Sequence, residues 1–253
     1  MSTDLQNVVI SFFIIFCRIG GALVLMPGFS NPRFPTVVRL MFSMVLSVAL
    51  TPYLWTYLQD LQVDIKTSHF IPIIAVETAI GLMFGFWCFC FLHASRFAGT
   101  FISTAVGLAG IPGQPIDEQN PSSHLASLLS LTATMLIFAS GLHLVSVRAL
   151  IQTYQILPMG KMPGSLWMVN TTLQLLRETS ILALQISSPF ILLVVVSNFA
   201  LGLINRFTPQ LSVYFAVTGL VSMISLGILS LASPQLLSMS EQSYSNWLQS
   251  GFK

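Results

Sequence analysis

Apolar residues in this chain gather into long runs separated by short polar breaks. The runs cover residues 8–29, 40–58, 70–92, 97–111, 125–147, 181–204 and 211–232. An α-helix rises ~1.5 Å per residue, so ~20 mainly apolar residues cross a hydrocarbon core of ~30 Å. Most of the runs meet that length; residues 97–111 are short and read as a half-span or one arm of a bent hairpin. Within hydrocarbon every backbone polar group must be bonded internally, which leaves helices and closed barrels, and a barrel would show weaker, alternating segments. The pattern predicts an all-α, polytopic membrane protein of about seven hydrophobic helical stretches, organised as a single domain over residues 1–253.

Three polar breaks stand out. The first, PGFSNPRFPTVVR at residues 27–39, holds Pro27, Pro32 and Pro35, which forbid continuous helix and make a stiff reversal. The second, GLAGIPGQPIDEQNPSSH at residues 107–124, is longer than a minimal hairpin needs, and loops of that length are usually either functional or disordered. The third spans residues 148–179 and joins ILPMGKMPG to SLWMVNTTLQLLRETS. There Leu166, Val169, Leu173 and Leu176 recur at three- and four-residue steps, so an amphipathic helix is expected, lying on a membrane surface or packed against a partner. Neither an internal repeat nor a low-complexity linker divides the chain.

Composition agrees with the lengths. The chain is 54% hydrophobic and 7% charged, against ~25% charged residues in an ordinary globular domain. Arg33, Arg39, Arg96, Arg148, Lys161 and Arg177 fall in alternate breaks. With seven crossings the N-terminus would lie outside and these basic loops would face the cytoplasm, Arg206 alone running against the pattern. The residues before the first run, MSTDLQN, lack a positive n-region, and that run carries Arg18, so no cleavable signal is expected. A net charge of +2 offers no nucleic-acid footprint.

Candidate chemistry is sparse. A phosphate-binding Gly-rich loop, a His-Glu-x-x-His helix and a Gly-x-Ser-x-Gly elbow are all missing. His69, His93, His124 and His143 are not in metal-ligand spacing, and Cys17, Cys88 and Cys90 lie inside apolar runs as expected of buried thiols. The chain is therefore expected not to be an enzyme, and no metal or cofactor is expected. Arg18 and Glu77, by contrast, sit inside apolar runs, where an unpaired charge costs ~2.5–3.5 kcal/mol on insertion scales. They form a polar pathway, or a buried Arg–Glu pair, or Arg18 snorkels to the interface. A proton-coupled secondary transporter working through Glu77 is one function consistent with the first alternative. Gly81 and Gly85 form a Gly-x-x-x-Gly step, and Gly20 and Gly21 follow Arg18, spacings that permit close helix contact in a membrane.

Taken in order, the motifs resemble the FliR family of flagellar export-apparatus proteins, related to the injectisome proteins called SctT. The resemblance covers nearly the whole chain. It rests on CRIGGALVLMPGFSNPRFPTVVRLMFSMVLSVALTP, on LIFASGLHLVSVRALIQTYQILPMG, which contains the Gly-x-His of His143, and on NFALGLINRFTPQLSVYF. The last is similar to the family's Asn-x-x-x-Gly-x-x-x-Arg-x-x-Pro-Gln signature, here Asn198, Gly202, Arg206, Pro209 and Gln210. The Leu-Pro after Tyr154 is closer to the flagellar than to the injectisome pattern.

The resemblance implies a non-enzymatic subunit of the type III protein export gate in the bacterial inner membrane, at the flagellar basal body. Implied partners are FliP-like and FliQ-like subunits, FlhB- and FlhA-like export proteins, and unfolded flagellar export substrates. It also implies tilted helical hairpins, with several hydrophobic stretches bent or covered by partners. The segment before the Gly-x-His helix would project into the channel as a plug, here residues 107–121 with Gly107, Gly110, Ile111, Pro112, Gly113 and Ile116. Many relatives place aromatics there; this loop has none, so either the apolar contact is weaker or the seal relies on neighbouring chains. Arg18, Glu77, His143, Asn198, Arg206, Pro209 and Gln210 are expected as structural or assembly residues.

Overall fold

The structure, a computed structural model, describes residues 2–30, 35–62, 70–105, 124–207 and 213–250. All regular structure among them is α-helical: α1 (Ser2–Leu25), α2 (Thr36–Gln62), α3 (Phe70–Ala105), α4 (His124–Ala139), α5 (Leu142–Ile156), α6 (Ser165–Phe207) and α7 (Val213–Ser250). Five of these are long and apolar enough to cross a membrane, and the bent pair α4–α5 makes a sixth if it is one span. The protein is an all-α polytopic membrane protein, with fewer candidate crossings than the seven apolar runs suggested.

The count differs because hydropathy and helix continuity obey different rules. Residues 70–92 and 97–111 read as two runs around Arg96, yet α3 passes through as one 36-residue helix up to Ala105. A charged side chain lowers local hydropathy without removing a backbone hydrogen bond. The run at 125–147 is broken instead, with α4 and α5 bent by 74° at Ser140–Gly141. Gly141 has φ +70°, a left-handed conformation that glycine adopts without a Cβ clash. The stretch 148–179 is divided between the end of α5, a reversal, and the first third of α6, which continues as one 43-residue helix into the next apolar run. The orientation inferred from seven crossings therefore does not carry over.

The chain packs as two units. Unit 1 comprises Met1–Cys90, Ile137–Leu176 and Tyr244–Lys253; unit 2 comprises Phe91–Leu136 and Arg177–Ser243. In unit 1, α1 buries Ile15, Ile19 and Ala22, and Met26 in the turn that follows continues the stripe at helical spacing. Buried Trp87 of α3 meets Trp167 of α6 at 6.0 Å and Trp247 of α7 at 6.1 Å, both edge to face. Its indole N–H donates to Thr172 at 3.2 Å, so the ring is both packed and hydrogen-bonded.

Unit 2 joins the C-terminal part of α3, from Phe91, to most of α4, α6 and α7. A Cβ on Gly99 would lie 2.7 Å from the Cα of Ala126, so α3 and α4 touch backbone to backbone there. Helices α6 and α7 contain Pro189 and Pro234, each of which removes an N–H from the ladder. The carbonyls left without that donor are those of Gln185 and Ser230. In each case the serine preceding the proline supplies a replacement: Ser188 donates to Gln185 at 2.9 Å and Ser233 to Ser230 at 3.0 Å. The Ser-Pro pairs thus satisfy a carbonyl that each of these two prolines leaves open.

Candidate functional site

The centre of unit 1 is the charged pair that the sequence left open. Arg18 and Glu77 are both fully buried, at 0% side-chain exposure. The guanidinium grips the carboxylate through two bonds, Nε to Oε2 at 2.5 Å and Nη2 to Oε1 at 3.1 Å. Nη2 also donates to the carbonyl of Leu157 at 3.2 Å, and Nη1 to that carbonyl at 3.3 Å and to the Thr153 hydroxyl at 3.4 Å. Arginine has five N–H groups, and all five are used. Thr153 can accept because its own hydrogen goes to the carbonyl of Leu150 at 2.6 Å. The Tyr154 ring lies against the guanidinium, 4.0 Å from its centroid to the Cζ, adding a cation–π contact.

Glu77 has a further partner. The backbone N–H of Gly160 donates to Oε1 at 2.8 Å. Gly160 has φ +73°, so the turn that aims this N–H inward favours glycine. The string Leu157-Pro158-Met159-Gly160 therefore supplies a carbonyl to the arginine and an N–H to the glutamate, while Leu157 and Met159 bury their side chains. A buried ion pair offsets its desolvation only when geometry is good and the remaining donors and acceptors are matched. Both conditions hold here.

The pair sits beside a close backbone contact of α1 and α3. A Cβ on Gly81 would strike the carbonyl of Arg18, and one on Gly85 the carbonyl of Ala22. From the other side, a Cβ on Gly21 would come within 2.8 Å of the carbonyl of Thr78. The glycine spacing thus marks a real backbone contact, with Gly21 as a participant and Gly20 facing open space.

A second cluster in unit 1 joins the Pro-Gly-Phe turn to the Gly-x-His segment. Phe138 lies so close over Gly28 (φ +89°) that an added Cβ would be 2.5 Å from its Cζ. Phe29 packs on Phe42 at 5.1 Å and on Phe138 at 6.3 Å, and the His143 ring stacks on Phe138 at 5.1 Å. Arg39 donates to the carbonyl of Phe29, fastening the turn to α2. Nδ1 of His143 is buried with no hydrogen-bond partner among the described residues.

The structure leaves the remaining candidates apart. Asn198 and Arg206 lie exposed on α6 in unit 2, and a Cβ on Gly202 between them would meet nothing within 4 Å. Pro209, Gln210 and the loop with Gly107, Gly110, Ile111, Pro112, Gly113 and Ile116 lie outside the described residues. Among the described residues, no group of His, Cys, Asp or Glu is placed to hold a metal ion. Reading single residues missed Thr153, Tyr154, Leu157 and Gly160 as partners of the pair. Their signal was present as the Tyr-x-x-Leu-Pro-Met-Gly string, whose role depends on a contact about eighty residues distant in sequence, Gly160 to Glu77.

Two of the three strings that carried the family resemblance thus converge in unit 1, and the whole-chain comparisons agree with them. The description Bacterial export proteins, family 1, matches residues 9–247. The chain belongs to the FliR family of bacterial export proteins. It is 24% identical over 219 residues to the Flagellar biosynthetic protein FliR of Caulobacter vibrioides, covering 87% of this chain and 86% of that one. It is 27% identical over 229 residues to the FliR protein of Escherichia coli strain K12, covering 87% and 82%. The injectisome side is represented by the Surface presentation of antigens protein SpaR of Salmonella typhimurium, 25% identical over 220 residues, covering 83% and 78%. At such identities the shared FliR-family pattern extends along the chain, not only through the strings quoted above.

Proposed function

We propose that this protein is a structural and gating subunit of the flagellar type III protein export channel in the bacterial inner membrane. In this reading it assembles with FliP-like and FliQ-like subunits, next to FlhB- and FlhA-like proteins, and unfolded axial proteins pass through the assembly. Its own part is non-enzymatic. The observation that carries the proposal is the family membership over residues 9–247, together with relatives named as flagellar biosynthetic proteins. The geometry of unit 1 suits such a part. Its buried charges are spent on holding α1, α3 and the Leu157–Gly160 turn together, and Glu77 is bonded by a guanidinium and a backbone N–H rather than aimed into a cavity. That arrangement gives no support to a transporter with Glu77 as its coupling carboxylate.

The loop at residues 107–121 is the proposed plug. Deleting it is expected to make the assembled channel leaky to ions or small solutes, read as conductance in planar bilayers. An unchanged conductance would remove the plug assignment. For the subunit itself, native mass spectrometry of the detergent-extracted protein, co-expressed with FliP- and FliQ-like chains, is expected to give a large hetero-complex. A monomer or small homo-oligomer that ignores both chains would overturn the reading.

A further inference from the structure

One apolar stripe is left uncovered in a place where lipid cannot cover it. Leu166, Val169, Leu173 and Leu176 are 79%, 54%, 59% and 43% exposed on the first turns of α6. Their opposite side packs inward through Trp167, Thr172 and the fully buried Leu175. The 43-residue α6 is ~64 Å long at ~1.5 Å per residue. Even tilted by ~40°, the upper end for membrane helices, it spans ~49 Å along the bilayer normal, against ~30 Å of hydrocarbon. A segment of α6 must therefore stand outside the hydrocarbon. Polarity identifies it: residues 165–180 contain Asn170, Thr171, Thr172, Gln174, Arg177, Glu178 and Thr179, whereas residues 181–204 carry no charge.

We infer that the stripe is the seat of a helix from a different protein subunit, one whose own apolar stripe is flanked by carboxylates. The spacing of the four residues, three, four and three, is that of a helix–helix seam packed knobs into holes. Charge sets the flanks. Residues 157–177 contain two cations, Lys161 and Arg177, and no carboxylate. Both cations are exposed, one before the stripe and one directly after Leu176. Glu178, the next carboxylate, is half-buried and already engaged within the chain. A second copy of this protein would bring the same cations to the seam, which disfavours self-pairing. The inference rests on the export-subunit reading only for where the partner is sought.

A photo-crosslinking amino acid placed at Leu173, with Val45 on the exposed face of α2 as control, tests this in native membranes with all export genes present. The Leu173 adduct is expected in an apolar helix of another export-apparatus protein, next to Asp or Glu, while Val45 labels lipid. Leu173→Asp is expected to lower co-purification of that protein at least tenfold. Arg177→Glu should do the same, with recovery when the partner's carboxylate is changed to lysine. Lipid-only adducts at Leu173, a second copy of this chain, or no protein adduct would each overturn the inference. If deleting the whole chain stops flagellar export but Leu173 labels only lipid, the inference fails and the export reading stands. If Leu173 labels such a helix yet the deletion leaves export intact, the reverse holds.

Discussion

Unit 1 buries an arginine and a glutamate completely and matches every guanidinium N–H, whereas unit 2 leaves Asn198 and Arg206 on the outside of α6. Glycines in both units divide into two kinds: Gly21, Gly81 and Gly85 of unit 1 and Gly99 of unit 2 face opposing backbone, while Gly20 of unit 1 and Gly202, Gly219 and Gly227 of unit 2 face open space. Unit 1 matches the charged pair at its centre within the chain, although Nδ1 of His143, Nε of Arg39 and the Tyr154 hydroxyl are buried without a hydrogen-bond partner among the described residues. In unit 2 the hydroxyls of Ser188 and Ser233 bond the carbonyls freed at Pro189 and Pro234, and Ser95 of α3 meets Ser240 of α7 at 3.5 Å. A chain built this way is rigid where its own segments converge and leaves other polar groups for what surrounds it.

The sharpest way to break the contrast is at the charge pair. Removing one partner leaves an uncompensated charge at full burial, so Glu77→Gln or Arg18→Met is expected to cost about 3–5 kcal/mol. Unfolding of the purified protein in detergent would measure it, and trypsin should gain access to Lys161 beside the loosened turn. The double change Arg18→Met with Glu77→Leu should recover much of the loss, because no charge is then stranded. Equal destabilisation by the single and double variants would refute this account of the site.

Next in size is the glycine contrast. Gly81→Ala forces a Cβ against the Arg18 carbonyl, and the expected cost is about 1–3 kcal/mol. Gly227→Ala, in open space on α7, should be neutral or stabilising by up to about 1 kcal/mol, since alanine is the better helix former. The same unfolding assay compares them, and similar effects at both positions would refute the close backbone contact of α1 and α3 at Gly81.

Smaller effects sharpen the picture. Gly160→Ala places a side chain at φ +73°, with an expected loss of about 1–2 kcal/mol and weaker protection of the turn against trypsin. Ser188→Ala strands one carbonyl in α6 and Ser233→Ala one in α7, a loss of about 0.5–1.5 kcal/mol each. Changing Ser197, whose hydroxyl bonds the Leu193 carbonyl with no proline nearby, should cost less. If Ser197→Ala costs as much as Ser188→Ala, the serines are not compensating the prolines.

By itself the sequence determined the solvent and the secondary structure class. Run length against bilayer thickness and a 7% charged composition admit little else. It also singled out Arg18 and Glu77 as charges needing an explanation, and Gly81 with Gly85 as a close-contact spacing. The strings around Arg18, His143 and Gly160 carried enough pattern to name a family. What tertiary structure decided was pairing. Arg18 chose Glu77 over the interface because α1 and α3 meet across glycines, a contact that no local period encodes. Gly160 became a donor to that carboxylate because a left-handed turn after α5 carries it back to α3. The stripe at Leu166, Val169, Leu173 and Leu176 was legible as a stripe. That it points outward followed only once Trp167 and Leu175 had taken the inside. Periodicity reports which residues share a face; which face is buried depends on what arrives from elsewhere in the chain.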